Sequence, residues 1–271
     1  MCRFFIIISN YITPKLLKNL LLFDEYSLFK QCYRSGCYEL REMTYKVNMD
    51  GFGIGWFNKN DPLAYRNITQ PWNDLNLLQI INTIKTTHFI GHIRAMPPIR
   101  YDCEQIKENR GVNPVHQYNC HPFIYHEWMF CHNGNINGFN NGVIRRNIIN
   151  NISDTYLAKI LGTTDSEYLF FLILSYHEKH NIIKSILQTI KFIASVHGEH
   201  NLNFVLTNKK DTIIARYNNT DKVPPSLYMK QTNHSFMCAS EPLNNYDKWE
   251  LIKKNTLVHI KNNKIYKIIN I

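Results

Sequence analysis

Apolar residues in this chain fall mostly into short runs and alternations, separated by turn residues, with only a few stretches at helical spacing. Phe4 to Ile8 is a continuous apolar run of strand length, directly behind Cys2. Pro14 then opens a helical segment over Lys15 to Leu22, and Phe23 to Met49 reads as irregular and polar. Asp50-Gly51-Phe52-Gly53-Ile54-Gly55-Trp56-Phe57 predicts a strand whose Phe52, Ile54 and Trp56 share one face, the glycines leaving room for close backbone approach. It is not a nucleotide loop, because the GxGxxG spacing is missing and no helix pattern follows. A short strand near Leu63 to Ile68, a helix over Leu75 to Lys85 and a strand from His88 to Arg94 come next. A loop containing Pro97, Pro98 and Gly111 leads to Asn119-Cys120-His121-Pro122-Phe123. Trp128 to His132 predicts a buried strand that runs into Asn133-Gly134, a dipeptide that signals a tight turn.

Helical periodicity covers Ser166 to Tyr176 and Ile182 to Val196. The last third alternates apolar and polar positions over Asn203 to Thr207, Thr212 to Tyr217, Phe236 to Ala239, Thr256 to Ile260 and Lys264 to Ile269. There is no internal repeat and no linker rich in Gly, Ser or Pro. The expectation is one α+β domain over residues 1–271, with two antiparallel sheets and about two central helices.

Composition narrows the function classes. A hydrophobic content of 44% and 13% aromatics in 271 residues can bury a full core, which excludes wholesale disorder. The formal charge of +10 comes from scattered Lys and Arg, with no block of like charge and no basic helix face, so it reads as a solvated surface and not as a nucleic-acid footprint. No apolar run approaches the ~20 residues of a membrane span, and Phe4 to Ile8 is too short for a signal-peptide core. The seven cysteines are odd in number and lack CxxC spacing, which favours reduced thiols in a cytoplasmic compartment over a disulfide framework or zinc ribbon. His88 and His92 would sit about 13 Å apart on one strand face, too far for one ion, so no metal or other cofactor is expected.

Cys2 changes the picture. Trimming of an initiator Met occurs when the next residue is small, and here it would leave Cys2 with a thiol and a free α-amine on one residue. The thiolate is a nucleophile, and an amine with a reference pKa of roughly 7.7–8.0 can take its proton near neutral pH. Other residues suit the same chemistry. Arg94 ends a strand, where a guanidinium can grip a carboxylate in bidentate fashion. Asn133 and Gly134 offer a side-chain amide and a backbone N–H as oxyanion donors. Asp165 stands where a helix begins and could hold an ammonium, and His121 precedes a proline in a loop that could wall a site. Each has an ordinary reading alone: a surface Arg, a turn, a helix cap, a buried thiol. It is their conjunction that points to a site.

The conjunction resembles the class II glutamine amidotransferases, whose nucleophile is an N-terminal cysteine. The resemblance runs in order through Met1-Cys2-Arg3-Phe4, Asp50-Gly51-Phe52-Gly53, His92-Ile93-Arg94-Ala95, Asn119-Cys120-His121-Pro122-Phe123, His132-Asn133-Gly134, Thr164-Asp165-Ser166-Glu167 and Ala239-Ser240-Glu241-Pro242-Leu243. Within that family the chain is most similar to a small stand-alone branch that includes the amidotransferase-like subunit of the fungal glutathione-degradation complex; the stretch from Ile68 to Leu77 shares this look. The resemblance implies an N-terminal-nucleophile hydrolase fold, a four-layer αββα sandwich. It implies that Cys2 attacks a γ-glutamyl amide, glutamine or a peptide such as glutathione, and that glutamate leaves through a thioester. Asn133 and Gly134 would hold the oxyanion, Arg94 the substrate carboxylate and Asp165 its ammonium, with His121 supporting the pocket. One departure is that Ala95-Met96-Pro97-Pro98 follows the Arg where larger family members carry Trp, Thr and His. The chain ends where those enzymes continue into a second domain, which leaves two expectations open: a separate protein partner, peptidase-like or ammonia-accepting, or no acceptor at all. A catalytically silent binding subunit with this fold is the alternative.

Overall fold

The strand behind Cys2 is the middle of the molecule. In the computed structural model, which describes residues 2–32, 50–95, 115–245 and 247–271, β1 (Arg3–Ile12) is the fourth of seven strands in an antiparallel sheet. The spatial order is β11 (Glu250–Leu251), β9 (Tyr228–Gln231), β10 (Ser235–Ala239), β1, β4 (Thr86–Ile93), β2 (Phe52–Asn58) and β3 (Asp61–Asn67). A second antiparallel sheet has six strands in the order β13 (Lys264–Asn270), β12 (Thr256–Lys261), β8 (Thr212–Arg216), β7 (His200–Thr207), β6 (Trp128–Ile136) and β5 (Phe123–Tyr125). The loop with Pro97, Pro98 and Gly111, most of the irregular stretch before Asp50, and Cys37 and Cys103 lie outside the described residues.

Side-chain alternation divides the interior into three apolar layers. Phe4, Ile6 and Ile8 of β1 point at the second sheet, where they join Ile90, Met129, Cys131, Val205, Ile214, Phe236, Cys238 and Val258. Phe5, Ile7 and Ile12 point the other way and pack with Leu17, Leu77 and Ile81 from α1 (Pro14–Lys18) and α2 (Leu77–Thr83). The far face of the second sheet packs Phe130, Leu202, Phe204 and Ile213 under the helices α3 (Gly142–Ile149), α5 (Asp165–His177) and α6 (Ile182–Ser195); the short α4 (Asp154–Leu157) precedes α5. Helices, sheet, sheet, helices is the αββα sandwich that the resemblance implies. Every residue of α5 from Ser166 to Ser175 is buried, which is why it carries no polar face.

Differences from the sequence reading are local. Regular α1 stops at Lys18 and continues as one wider turn, Asn19–Phe23. The predicted helix over Leu75 to Lys85 is shortened to Leu77–Thr83, and Arg94 stands one residue beyond β4. The larger correction is at Asn133-Gly134, which is not a turn: β6 continues through it to Ile136, with Asn133 paired to Asn203 and Gly134 to Leu202. Gly is needed there for close approach, since a Cβ on Gly134 would lie 1.9 Å from the Asn201 carbonyl oxygen.

Candidate functional site

The polar residues of interest gather where β1 begins, at one end of the layer between the sheets. Cys2 is half-buried and sits just before β1; its Sγ accepts the Ala95 N–H at 3.4 Å and lies 3.6 Å from the Ala95 carbonyl. Burial pushes the Cys2 thiol up, the Ala95 contact and the Arg94 guanidinium pull it down, and the Asp165 carboxylate pushes it up again. Arg94 and Asp165 are therefore both close enough for their charges to be felt at the sulfur.

The neighbouring strands lock this corner. Arg3 points away from Phe4 and donates to Glu241 Oε1 at 3.0 Å in a buried ion pair that Ser226 Oγ also joins, at 2.8 Å. Ser240, next in line after β10, holds Phe4 twice: its N–H donates to the Phe4 carbonyl at 2.9 Å, and its Oγ accepts the Phe4 N–H at 3.0 Å.

On the facing sheet, the alternation of β6 sorts the candidate donors. Met129 and Cys131 face the layer between the sheets, so Asn133 does too, and its amide lies 3.3 Å from Ser240 Oγ. The N–H of Leu202 is spent on the Tyr217 carbonyl, on the β8 side of β7, so its cross-strand partner Gly134 forms a pair that is not hydrogen-bonded and turns its N–H away from β7. On that same edge the His132 carbonyl accepts from His92 Nε2 at 3.3 Å, and the Ile136 N–H donates to Asp165 Oδ2 at 2.7 Å. β5 pairs only with Trp128 to Phe130, so it ends before this edge begins. Gly134 N–H thus lies between the partners of His92 and Asp165.

Arg94 is buried, its main chain bonded to Gly51 (2.8 Å) and its Nη1 donating to the Asp50 carbonyl at 3.3 Å. The Asp50-Gly51 end of the glycine strand therefore seats the guanidinium. Beside it, His121 packs against His92 with ring centroids 4.1 Å apart and the planes tilted by 33°. Burial holds His92 down to about 3 and His121 well below the ordinary histidine value, with neighbouring charges acting in the same direction. Both rings are neutral at physiological pH, and both His121 ring nitrogens are buried without a protein partner among the described residues. His132 Nδ1 faces α5 and meets Ser166 Oγ at 2.9 Å, while Nε2 donates to the Asn201 carbonyl of β7 at 3.1 Å.

Asp165 opens α5 behind the Thr164 cap and, besides Ile136, lies 3.4 Å from Ser166 Oγ. The turn before it is built by two buried groups. Glu167 accepts the N–H groups of Leu161 (3.1 Å) and Gly162 (2.6 Å), and Asn119 accepts the Thr163 N–H at 2.8 Å. Burial raises the Glu167 carboxyl, and those two N–H groups oppose it. No group of three His, Cys, Asp or Glu among the described residues is placed to hold a metal ion, and no helix among them is long and apolar enough to cross a membrane.

The fold thus gathers Cys2, Arg94, His121, Asn133, Gly134 and Asp165 at one end of the sandwich. Residue types and spacing assigned no role to Asn119, His92, His132, Glu167, Ser240 or Glu241, although all six lie within the strings that carry the resemblance. Their signal was that they are polar residues in otherwise apolar strand and cap patterns.

Comparison with known proteins bears on the family and the fold. A family model described as glutamine amidotransferases class-II matches residues 18–224. The chain is 28% identical to the protein described as probable glutamine amidotransferase DUG3 of Saccharomyces cerevisiae, over 96% of this chain and 82% of that one. A solved glutamine aminotransferase class-II domain protein from Silicibacter pomeroyi superposes with a TM-score of 0.67 at 21% identity, covering 99% of both chains. The glutamine phosphoribosylpyrophosphate amidotransferase of B. subtilis, solved with ADP and GMP, gives 0.64 at 15% identity over 99% of this chain and 49% of that one. The two structural likenesses, at such identities, bear on the fold alone.

Proposed function

Because the chain belongs to the class II glutamine amidotransferases, we propose that it hydrolyses γ-glutamyl amides through a thioester on Cys2. The observation that carries this reading is that Ser240 Oγ bridges the Asn133 amide to Phe4 at the start of β1, just behind Cys2, while the next residue of β6, Gly134, turns its N–H away from β7. Removal of Met1 frees the Cys2 α-amine, which takes the thiol proton as Sγ attacks the amide carbonyl. Asn133 and Gly134 hold the resulting oxyanion. Collapse breaks the C–N bond, the amine leaves with that proton, and water then cleaves the thioester to give glutamate and the free thiol. Each oxyanion donor is worth about 10²–10³ in rate.

Arg94 grips the substrate α-carboxylate and Asp165 its α-ammonium; the charge of each already reaches the sulfur. His121 walls the pocket as a neutral ring. The substrate is glutamine or, following the resemblance to the glutathione-degradation branch, a γ-glutamyl peptide such as glutathione. A separate protein, peptidase-like or ammonia-accepting, would take the other product, in a cytoplasmic compartment.

The second reading is a silent binding subunit with this fold. A single experiment separates the two. The mass of the N-terminal peptide is measured before and after treatment with an electrophilic glutamine analogue, alongside glutamate release from glutamine and glutathione. Loss of Met1, an adduct confined to Cys2 and glutamate release abolished in Cys2→Ala support the hydrolase. Retained Met1 with no adduct, in a host that trims Met-Cys ends, supports the silent subunit.

A further inference from the structure

Ser240 has one hydroxyl proton and two lone pairs to place, and one lone pair is taken by the Phe4 N–H at 3.0 Å. Its other side-chain neighbour among the described residues is the Asn133 amide, 3.3 Å away. With Nδ2 turned toward Ser240, the hydroxyl proton has no acceptor, and Asn133 Oδ1 is left as a buried acceptor with no donor. The amide turned by half a revolution fills the same space and removes both defects. The Ser240 hydroxyl then donates to Oδ1, and Nδ2, with protons unspent, takes the buried position where Oδ1 had no partner.

We propose that Ser240 is the positioning residue that turns the Asn133 amide, so that its NH₂ and not its oxygen is presented beside Cys2. The proposal rests on the hydrolase reading given above and deepens it. A freely turning amide would spend part of its time presenting an oxygen to the developing oxyanion, which repels where it should donate. The hydroxyl proton makes the choice: the Phe4 N–H can only donate to Ser240 Oγ, so among the described residues Asn133 Oδ1 is the one acceptor that proton can reach. The nucleophile strand and the oxyanion amide are thereby coupled through one hydroxyl. Ser240 is itself fixed, since its N–H is bonded to the Phe4 carbonyl and the next residue, Glu241, is tied to Arg3 and Ser226.

The test compares Ser240→Ala and Ser240→Thr with wild type in three readouts: steady-state glutamate release, affinity for glutamate, and affinity for its γ-aldehyde, which forms an oxyanion-bearing hemithioacetal on a cysteine. Removing the hydroxyl should lower kcat by about 10- to 100-fold and weaken aldehyde binding by a similar factor. KM and glutamate affinity should stay within about threefold, and Ser240→Thr, which keeps the hydroxyl, should recover most of the rate. Should Ser240→Ala not fold, Ser240→Cys, a poorer donor of similar size, carries the same comparison. Unchanged kcat in the folded Ala or Cys variant overturns the proposal, as does equal loss of aldehyde and glutamate affinity. A wild-type protein that neither releases glutamate nor binds the aldehyde takes down the hydrolase reading and this proposal together, an outcome distinct from either variant result.

Discussion

Replacing Gly134 by Ala tests the corner of β6 on which the oxyanion assignment depends. The added methyl would lie 1.9 Å from the Asn201 carbonyl oxygen, 2.8 Å from the carbon behind it and 2.5 Å from His132 Nε2. Side-chain carbons do not approach heavy atoms within 3.0 Å, so β6 and β7 must separate by roughly 1 Å. The atom in the way is backbone of β7, an interior strand of the second sheet, and cannot swing aside as a side chain would. Overpacking of this kind costs about 1–3 kcal/mol, and the value here should lie at or above the upper end. The shift would also carry the Gly134 N–H away from its position, lowering glutamate release by about 10²–10³. Gly142→Ala is the control: it opens α3, meets nothing within 4 Å and should be neutral or stabilising by up to ~1 kcal/mol. Urea unfolding of both variants, with glutamate release measured in parallel, gives the answer. A Gly134→Ala protein as stable as wild type, with activity within threefold, would refute the close-approach argument.

Arg94→Lys replaces a fork with a point charge at a buried position and should raise KM for glutamine or glutathione at least tenfold, with a smaller change in kcat; unchanged KM removes the carboxylate assignment. Acid should unfold the protein through its neutral histidines. The unfolded chain binds a proton on each near 6.5 while folded His92 resists to about 3, so this stabilisation is complete above about pH 6.5 and is lost as pH falls through the window below it. His92 alone accounts for about 1.4 kcal/mol per pH unit there. Stability measured by urea from pH 7 to 4.5 should fall less steeply in His92→Gln than in wild type, and equal slopes would contradict the buried-neutral state.

The pattern of apolar positions determined the class of fold. Short apolar runs and alternations bounded by turn residues read as strands, and β1, β2, β4, β7, β8, β10 and β12 all stand where that pattern puts them. Chemistry-bearing residue types marked Cys2, Arg94, Asn133 and Asp165 as of interest, because a nucleophile, a fork, an amide and a carboxylate are properties of side chains and not of their neighbours. Asn-Gly misled, because the dipeptide reports only a local permissiveness. Gly134 is used for the approach of β7, sixty-odd residues later in the chain, and no local signal carries that. The same holds for Ser240, Glu241 and Asn119, ordinary polar residues in sequence whose partners come from strands and turns far away. Hydrogen-bond partnership across the sandwich is set by strand order and register, and these arise only when distant segments pack. The sequence alone therefore determined which elements form and which groups could react, while the tertiary structure decided which edge of β6 stays open, which way its donors face and which hydroxyl lies between Asn133 and the strand of Cys2.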